Sequence, residues 1–456
     1  MLAGALIISE PVSAETLSEA LSDAYLNNPR LLAERARQQA DDEVIPQATS
    51  GWRPKVILDG SVGYEQERTT PPTDHSNRNN STIGLKLSQP VFRGFRTLNE
   101  TRSAEAGVRA GHGRLREIEQ DVLLSAAAAY MNIIRDEDVR RRRAENVQFL
   151  RNEVKVTTHK FGEGELTRTD VNQAKTRLHQ GLAQLAQAKA DLAGSKAGFA
   201  SLVGHLPQRL SRPGSIASLL PNRLAEAIQV ALDENPKIIT AEYQITAAKH
   251  DVQAVRGELL PTINLDASYE RSHNVSRAFD RQDRGIVELR MSMPLYNSGI
   301  TLSRIRQARA TVSQRKQELI NTQAGIQAEV ITAWENRKAA HTRIASARSS
   351  VTAAVASVKG IRIEAKAGER SVSDVLDAQR ELVEARISLA NAERDQVVSS
   401  FTLLAAIGRL APDRLNLDVT IHDPSENLHM IRHPSVGDAI AEFATVVIPP
   451  LREAIY

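Results

Sequence analysis

Acids, histidines and arginines are the side chains of this sequence that could do chemistry, but they are not spaced for catalysis. The 11 histidines form no HExxH pair or other ligand spacing, so no metal site is predicted. Cysteine is absent, which excludes thiolate catalysis, disulfides and cysteine-based metal sites. No nucleotide-binding loop or Ser/His/Asp grouping is present either. We therefore expect no enzyme activity and no cofactor.

Three aspartates stand out because they follow breaks between long helical stretches. Asp374 and Asp377 are three positions apart and so share one helix face. The position equivalent to Asp377 in the first half of the chain is Gln173, so helix capping does not require that acid and a functional role is favoured. Two pairs have the S/T-x-x-D spacing of a helix start, where the acid also suits the helix dipole: Thr167 with Asp170, and Ser371 with Asp374.

Basic residues do not indicate a nucleic-acid partner. The chain has 58 Lys and Arg against 55 Asp and Glu, a net charge of +3. The run Arg140 to Arg143 lies in a long helical stretch, where consecutive residues circle the helix. We interpret it as a solvated face.

An internal repeat organises the chain. LSEALSDAYLNNP from Leu17 returns as LAEAIQVALDENP from Leu224, and SQPVFRG around Pro90 returns as SMPLYNSG around Pro294. Repeats of this length indicate one architecture used twice.

Each copy is predicted to contain an opening helix, a strand pair and a long helical hairpin. The opening helices lie near 16–45 and 223–256 and are interrupted at Pro29 and Pro236.

Residues 1–14 are interpreted as the remnant of a signal peptide, with small residues Val12 and Ala14 before the cleavage point. The predicted segments are a first repeat at 15–208 (strands 54–67 and 81–92, hairpin 97–204), a linker at 209–222, a second repeat at 223–412 (strands 261–271 and 285–296, hairpin 301–409) and a tail at 413–456.

The four predicted strands alternate with period two and so keep one apolar and one polar face. The apolar positions include Val56, Leu58, Val62, Tyr64, Ile83, Leu85, Leu87, Ile263, Leu265, Ala267, Tyr269, Val287, Leu289, Met291 and Met293. Aromatic residues gather near the strand ends, as in the girdles of membrane barrels, although such residues could also cap an ordinary sandwich. They are Trp52, Tyr64, Phe92, Phe95, Tyr269, Phe279 and Tyr296.

The long helices carry heptad ladders that match between the copies. Such spacing predicts coiled-coil packing. Each upstream helix, near 97–158 and 301–364, would be about 90 Å long. The ladders are Val108, Leu115, Val122 and Ala129 with Val312, Leu319, Ile326 and Ala333, then Val171, Leu178, Leu185, Leu192 and Phe199 with Val375, Leu382, Leu389, Gln396 and Leu403.

The strand count predicts an oligomer. No stretch of about 18 apolar residues is present to form a membrane helix, and four strands cannot close a barrel, since single-chain barrels start at about 8. Open sheet edges are excluded in lipid, so strands of other copies must complete the wall. Two, three or four chains would give about 8, 12 or 16 strands. The face that carries Lys55, Asp59, Lys86, Asp266, Glu288 and Arg290 would line a wet lumen.

At this point the sequence resembles the TolC family of outer-membrane efflux proteins. The resemblance covers residues 15 to about 412 and rests on the strand-end motifs QPVFRG and MPLYNSG and on the helix breaks FGEGELTRTDV and AGERSVSDVLDA. It implies a mainly α fold in which long hairpins form an α-barrel, and a trimer whose four strands per protomer make a 12-stranded barrel. It also implies a location in the bacterial outer membrane with a large periplasmic portion.

The resemblance assigns roles to the residues at the breaks. It implies a periplasmic gate that includes Asp374, Asp377, Arg370 and an acid that interacts with that arginine, Asp170; a ring of these aspartates would attract cations and could bind them. The aromatic residue of this network would fall at Ala365, so the closed state is expected to have fewer bonds. The implied adaptor-docking tips are Gly164, Glu165, Leu166, Gly368, Glu369 and Ser371, although short turns of this kind also suit any helical hairpin.

The implied function is that of an exit duct for an efflux pump or a type I secretion system. The implied partners are a periplasmic adaptor, an inner-membrane pump or ABC transporter, and outer-membrane lipid. Drug efflux and protein secretion stay open as alternatives. A structural coiled-coil envelope protein without a pore is the rival interpretation, but it leaves the four alternating strands unexplained.

Overall fold

The computed structural model describes residues 14–69, 74–214, 216–276 and 279–431. The predicted signal-peptide remnant, except for residue 14, lies outside the described residues, as does the predicted tail beyond residue 431. The side chain of Phe279 also lies outside them.

Ten α-helices are present in the described part of the chain, and two of them are very long. The helices α4 and α8 each have 67 residues, which corresponds to about 100 Å at the α-helical rise. Both extend past the bounds predicted from sequence. The helices are α1 (Leu17–Asn27), α2 (Pro29–Asp42), α3 (Val44–Thr49), α4 (Arg96–Gly162), α5 (Arg168–Val203), α6 (Leu224–Glu234), α7 (Pro236–Arg256), α8 (Ile300–Lys366), α9 (Val372–Ala406) and α10 (Glu426–Ile431).

The opening helix of each repeat is divided at its Asn-Pro pair, as predicted. The residue before each proline leaves the helical conformation, because proline disfavours an α conformation there. Asn28 and Asn235 are both buried, and each uses its side chain twice. Asn28 donates to the carbonyl of Leu202 over 2.9 Å and accepts from the backbone N–H of Arg30. Asn235 likewise donates to the carbonyl of Ala406 over 2.9 Å, so both breaks are fastened to the end of a long hairpin.

The strands form one antiparallel sheet in the order β1-β2-β3-β4. The two repeats are joined at its centre, where β2 pairs with β3. In the described chain β1 and β4 each have one neighbour, so each leaves one edge open. The strands are β1 (Lys55–Thr69), β2 (Asp74–Arg93), β3 (Thr262–Ser276) and β4 (Phe279–Ser292).

The strands β2 and β4 begin earlier than predicted, at Asp74 and Phe279 instead of 81 and 285. The sequence around Asn77 to Asn80 is polar and turn-rich, so it lacks the apolar alternation of a half-buried strand. Cross-strand pairing holds it extended all the same, with Arg78 opposite Glu65 in an ion pair of 3.7 Å.

The chain divides into two compact units, and both repeats contribute to each. The first unit comprises Met1–Ala36, Arg114–Ile238 and Thr322–His422, and the second comprises Arg37–Gly113, Ile239–Asn321 and Asp423–Tyr456. The repeats are therefore units of sequence, whereas the compact units cut across them.

The heptad ladders lie inside the helical packing. Phe199 and Leu403 are fully buried, and Leu115, Val122 and Ile326 are 2% exposed. Every member of the predicted ladders is buried or half-buried, which confirms coiled-coil packing. Among the described residues, no helix is long and apolar enough to span a bilayer.

Candidate functional site

Both hairpin tips have the same backbone design. Gly164 and Gly368 have positive φ values of 81° and 83°, a conformation that glycine adopts without a steric penalty. In each tip a backbone N–H reaches back to the last helical turn: Glu165 donates to the Lys160 carbonyl over 2.9 Å, and Glu369 donates to the Glu364 carbonyl over 3.0 Å. These bonds satisfy carbonyls that the helix end leaves free. The space beside both glycines is open, so backbone conformation and not crowding requires them.

The next helix of each hairpin starts with a capping box. The hydroxyl of Thr167 accepts from the N–H of Asp170, whose carboxylate accepts from the Thr167 N–H over 2.9 Å. Ser371 and Asp374 repeat this geometry. The Thr167 and Ser371 hydroxyls, together with the backbone N–H groups, hold the pKa of Asp170 and of Asp374 below their ordinary values. The capping role predicted for both acids is therefore confirmed.

Asp377 is held by an arginine that the sequence analysis did not identify. Arg177 on α5 donates to the Asp377 carboxylate over 2.8 Å, and Arg380, one turn further along α9, lies 3.5 Å from the same oxygen. The available signal was copy-specific charge, because the position equivalent to Arg177 in the second repeat is Glu381. The bond between Arg177 and Asp377 thus joins the two repeats.

Arg370 and Asp170, which the resemblance paired, have other partners in the described protomer. Arg370 donates to Glu364 over 2.9 Å, whereas Asp170 is bonded to Thr167. Near Ala365, where the sequence lacks the expected aromatic, the guanidinium of Arg362 lies 4.7 Å from the centre of the Phe149 ring. A cation–π contact therefore connects α8 to α4 close to that position.

A polar ladder continues from the tip along α9. Ser373 donates to Gln173 over 2.9 Å, next to the Arg177–Asp377 bond. Further along, Arg143 of α4 donates to Glu384 over 2.8 Å and also to Gln184 of α5. An apolar cluster of Leu150, Ala174 and Leu376 joins the same three helices, α4, α5 and α9. The tip of α9 is thus fastened to the first-repeat hairpin.

The interpretation of the arginine run as a solvated face was wrong for Arg143. Its side chain is only 15% exposed, because it lies against Glu384. Arg141 and Arg142 pair with Asp138 on their own helix. Ion pairs within the protein therefore account for three of the four arginines.

The sheet has two chemically different faces. On one face Val56, Leu58, Val62 and Val287 are between 58% and 87% exposed. On the other, Lys86 pairs with Asp59 over 3.0 Å, and Ser88 donates to Asp266 over 2.6 Å. Apolar Ile57 and Ile286 also lie on the polar face. The register pairs Ile57 with Lys86, Lys86 with Ser268, and Ser268 with Ile286, so all four side chains share that face. Most of the large exposed apolar side chains lie on one face, which is unusual for a sheet that faces water on both sides.

The described residues contain no group of three His, Cys, Asp or Glu side chains arranged to hold a metal ion. Ion pairs and helix caps account for Asp170, Asp374 and Asp377 within one protomer.

Comparison with known proteins gives a family match over both repeats. The outer membrane efflux protein family matches residues 20–205 and 227–409. The outer membrane efflux protein BepC of Brucella suis is 34% identical over 439 residues, which cover 96% of this chain and 95% of the relative. The outer membrane protein TolC of Escherichia coli is 24% identical over 90% of this chain and 86% of its own length. The alkaline protease secretion protein AprF of Pseudomonas aeruginosa is 23% identical over 86% and 84%.

Solved structures share the fold. The CmeC outer membrane channel of Campylobacter jejuni aligns with a TM-score of 0.78 and 16% identity, covering 91% of this chain and 89% of its own. CusC aligns with a TM-score of 0.75 and 18% identity over 86% and 92%. The long hairpins and the small antiparallel sheet are therefore an architecture known from outer-membrane channels.

Proposed function

This chain belongs to the outer membrane efflux protein family, and from that membership we infer that each protomer contributes part of the wall of a continuous exit duct. The protein is a TolC-like channel of the bacterial outer membrane that serves an efflux or secretion system. Transport along such a duct is passive, and we propose that the chain catalyses no reaction. An adaptor and an inner-membrane transporter would be its partners, because its relatives are named for efflux and for protease secretion.

One observation carries this function above the others: the sheet has an exposed apolar face, a polar face and two open edges. Apolar side chains have a lower free energy in contact with lipid hydrocarbon than in contact with water. Open edges cannot remain unpaired in lipid, since each unsatisfied backbone group costs several kcal/mol. We propose that β1 of one protomer pairs with β4 of the next. Three copies would close a barrel of about 12 strands, with Asp59, Lys86 and Asp266 inside.

Two neighbouring residues of β4 provide a matched test of this orientation. Val287 is 73% exposed on the apolar face, while Ile286 is 43% exposed on the polar face. An arginine on the lipid side near mid-membrane costs about 2–4 kcal/mol, whereas one in a wet lumen is tolerated. We expect Val287→Arg to lower the yield of assembled channel in the outer-membrane fraction and Ile286→Arg to leave it near the wild-type level.

The opposite ranking of these two variants would place the faces the other way round. Equal yields, with both proteins extracted in buffer without detergent, would support the rival coiled-coil envelope protein. Native mass in detergent then gives the number of chains, for which we propose three.

We propose that the hairpin tips form the periplasmic gate. Three protomers would bring Asp374 and Asp377 together around one axis, where six carboxylates would attract cations. The bond from Arg177 to Asp377 supports a closed state in which α9 is held against the first-repeat hairpin. Arg370, which is bonded to Glu364, and Asp170, which is bonded to Thr167, would lie beside this ring.

We also propose that the turns form the adaptor-docking surface. Gly164, Glu165, Gly368, Glu369 and Ser371 are exposed and Leu166 is half-buried. The open surroundings and the shared turn geometry support a docking surface that occurs twice in each protomer, once per repeat. An adaptor hairpin could bind at either copy. Site-specific crosslinking from Glu165 and Glu369 to a co-expressed adaptor tests this, with exposed Glu381 on α9 as the control position.

A further inference from the structure

A cavity of about 880 Å³ lies in the second compact unit, where the sheet gives way to the helices. It is bordered by the residues just before and at the start of α4, by the end of α7 and the 3₁₀ turn after it, and by the start of α8. The duct wall described above makes no use of this cavity.

Apolar side chains form one half of its lining. Phe95 is 54% exposed and Leu302 is 55% exposed, and Leu98, Leu259 and Leu260 are also open to solvent. Surface of this kind is costly in water, since each buried square ångström of apolar area is worth about 25 cal/mol. The lining is therefore suited to a hydrocarbon chain.

Three arginines form the other half: Arg256, Arg306 and Arg309. All three are exposed. Arg256 bonds to the neutral side chain of Gln253 over 3.3 Å, and within the described part of the chain no ion pair is formed by any of the three. The described residues of the lining include no carboxylate, and the nearby acid Glu258 is already paired with Arg304 at 3.3 Å. The cavity thus has uncompensated positive charge, and guanidinium groups bind phosphate well through parallel N–H donors.

The cavity is continuous with the apolar face of the sheet. Phe92 lies on that face, opposite Ile263, which in turn lies opposite Met291. The rings of Phe92 and Phe95 meet edge to face, with their centres 5.2 Å apart. The apolar surface of the sheet therefore continues through Phe92 and Phe95 into the lining of the cavity. If that face contacts hydrocarbon, the arginines lie just beyond its rim, at the level where lipid phosphates occur.

We propose that this cavity binds an anionic phospholipid of the membrane. Its phosphate would lie between Arg306, Arg309 and Arg256, and one acyl chain would pass Phe95 and Leu302 toward the apolar face. Charge complementarity favours a lipid with net negative charge over a zwitterionic one. The bound lipid would fasten the junction between sheet and helices to the bilayer. This inference rests on the proposed orientation of the sheet in the membrane.

The test uses the purified, assembled full-length channel in detergent, titrated with phosphatidylglycerol or phosphatidylcholine and followed by native mass spectrometry. The wild type should bind phosphatidylglycerol more tightly than phosphatidylcholine, by about tenfold. The double variant Arg306→Gln with Arg309→Gln should lose that preference. A control double variant on the same helix, Arg315→Gln with Arg343→Gln, removes the same charge from two arginines whose acidic partners, Glu318 and Asp395, do not line the cavity, and should keep the preference.

A second variant separates the hydrocarbon part of the site from its charge. Leu302→Gln should weaken the binding of both lipids by a similar factor, and the preference for phosphatidylglycerol should stay the same. An unchanged preference in the Arg306/Arg309 variant would overturn the proposal, as would an equal loss in the control. Because particle mass is read in the same spectra, intact assemblies without lipid selectivity would reject this site alone, whereas failure of the wild type to assemble would reject the proposed duct.

Discussion

Arg177 on α5 and Asp377 on α9 form an ion pair of 2.8 Å that connects the two repeats. Each charge is specific to its own copy, since the equivalent positions hold Glu381 and Gln173. A feature that breaks the internal symmetry of a duplicated chain is not needed for the common architecture. We therefore place this pair at the centre of the gating proposal.

Removing Arg177 should loosen the closed state. Exposed ion pairs contribute about 0.2–1 kcal/mol each, so three additive copies in a trimer would shift the closed–open equilibrium by about 0.6–3 kcal/mol. Arg177→Gln should therefore raise the conductance of purified channels in planar bilayers. Arg380→Gln is the matched control, because Arg380 contacts the same acid from within α9 and does not bridge the repeats. Equal conductance changes in both variants would show that the bridge does not latch the gate.

The carboxylate ring predicts block by divalent cations. The double variant Asp374→Asn with Asp377→Asn should weaken Mg²⁺ block of conductance, because it removes all six proposed charges. Thr167→Ala disrupts the equivalent capping box in the first repeat and leaves every carboxylate in place, so it controls for disturbance of a helix start and should leave the block in place. Block that survives the double variant would remove the ring from the proposal.

The lowered pKa of Asp374 determines the pH range over which that block should persist. Bonds from the Ser371 hydroxyl and N–H lower this pKa from its ordinary value of 3.8. A lowered carboxyl pKa means that the charge, and the cap that it stabilises, persist as the pH falls until the lowered pKa is reached. The contribution of Asp374 to Mg²⁺ block, measured in an Asp377→Asn channel, should therefore be constant from pH 7 to pH 5. Loss of that remaining block by pH 5 would contradict this assignment.

Local sequence signals predicted most of the fold. The heptads at Leu115, Val122 and Ile326 predicted long packed helices, and the caps at Thr167 and Ser371 predicted where the returning helices begin, because both signals depend on neighbours within a few residues. The start of β2 at Asp74 was missed, since cross-strand pairing overrides a polar, turn-rich sequence there.

The contacts of the candidate site depend on distant parts of the chain. Arg143 meets Glu384, and Arg177 meets Asp377, across separations of 241 and 200 residues. A charged residue on a helix does not reveal from its own surroundings which distant helix will pack beside it. The residue types at the tips were therefore predictable, while their partners required the structure.

Glycine at the hairpin turns should be more important than glycine within the helices. An L-residue at the positive φ of Gly368 costs about 1–2 kcal/mol, whereas alanine inside a helix is favoured over glycine by about 1 kcal/mol. Gly368→Ala should therefore lower the thermal melting temperature of the channel and reduce adaptor crosslinking. Gly360→Ala, in the interior of α8 with open space at its Cα, should raise the melting temperature slightly. If Gly368→Ala raised the melting temperature instead, the turn would not require a residue with positive φ at this position.

His205 should make the stability of the first compact unit depend on pH. Its Nδ1 lies 3.1 Å from the Leu206 carbonyl oxygen and its Nε2 lies 3.2 Å from an Asp23 carboxylate oxygen. Both partners are acceptors, so both ring nitrogens can donate only when the imidazole is protonated. The Leu206 carbonyl, followed by the Asp23 and Glu15 carboxylates, raises the pKa of His205 above its ordinary value of 6.5.

The sign of the effect follows from that raised pKa. The stabilisation should be fully present below about pH 6.5 and should disappear as the pH rises through the raised pKa, because the folded state then loses its extra proton. Burial also raises the pKa of Glu15, which likewise makes stability fall as the pH rises. Melting temperatures measured from pH 5.5 to 8.5 should therefore decline more steeply for the wild type than for His205→Gln. His179→Gln, at an exposed position on α5, should follow the wild-type curve, and parallel curves for wild type and His205→Gln would show that folding does not raise the pKa of this imidazole.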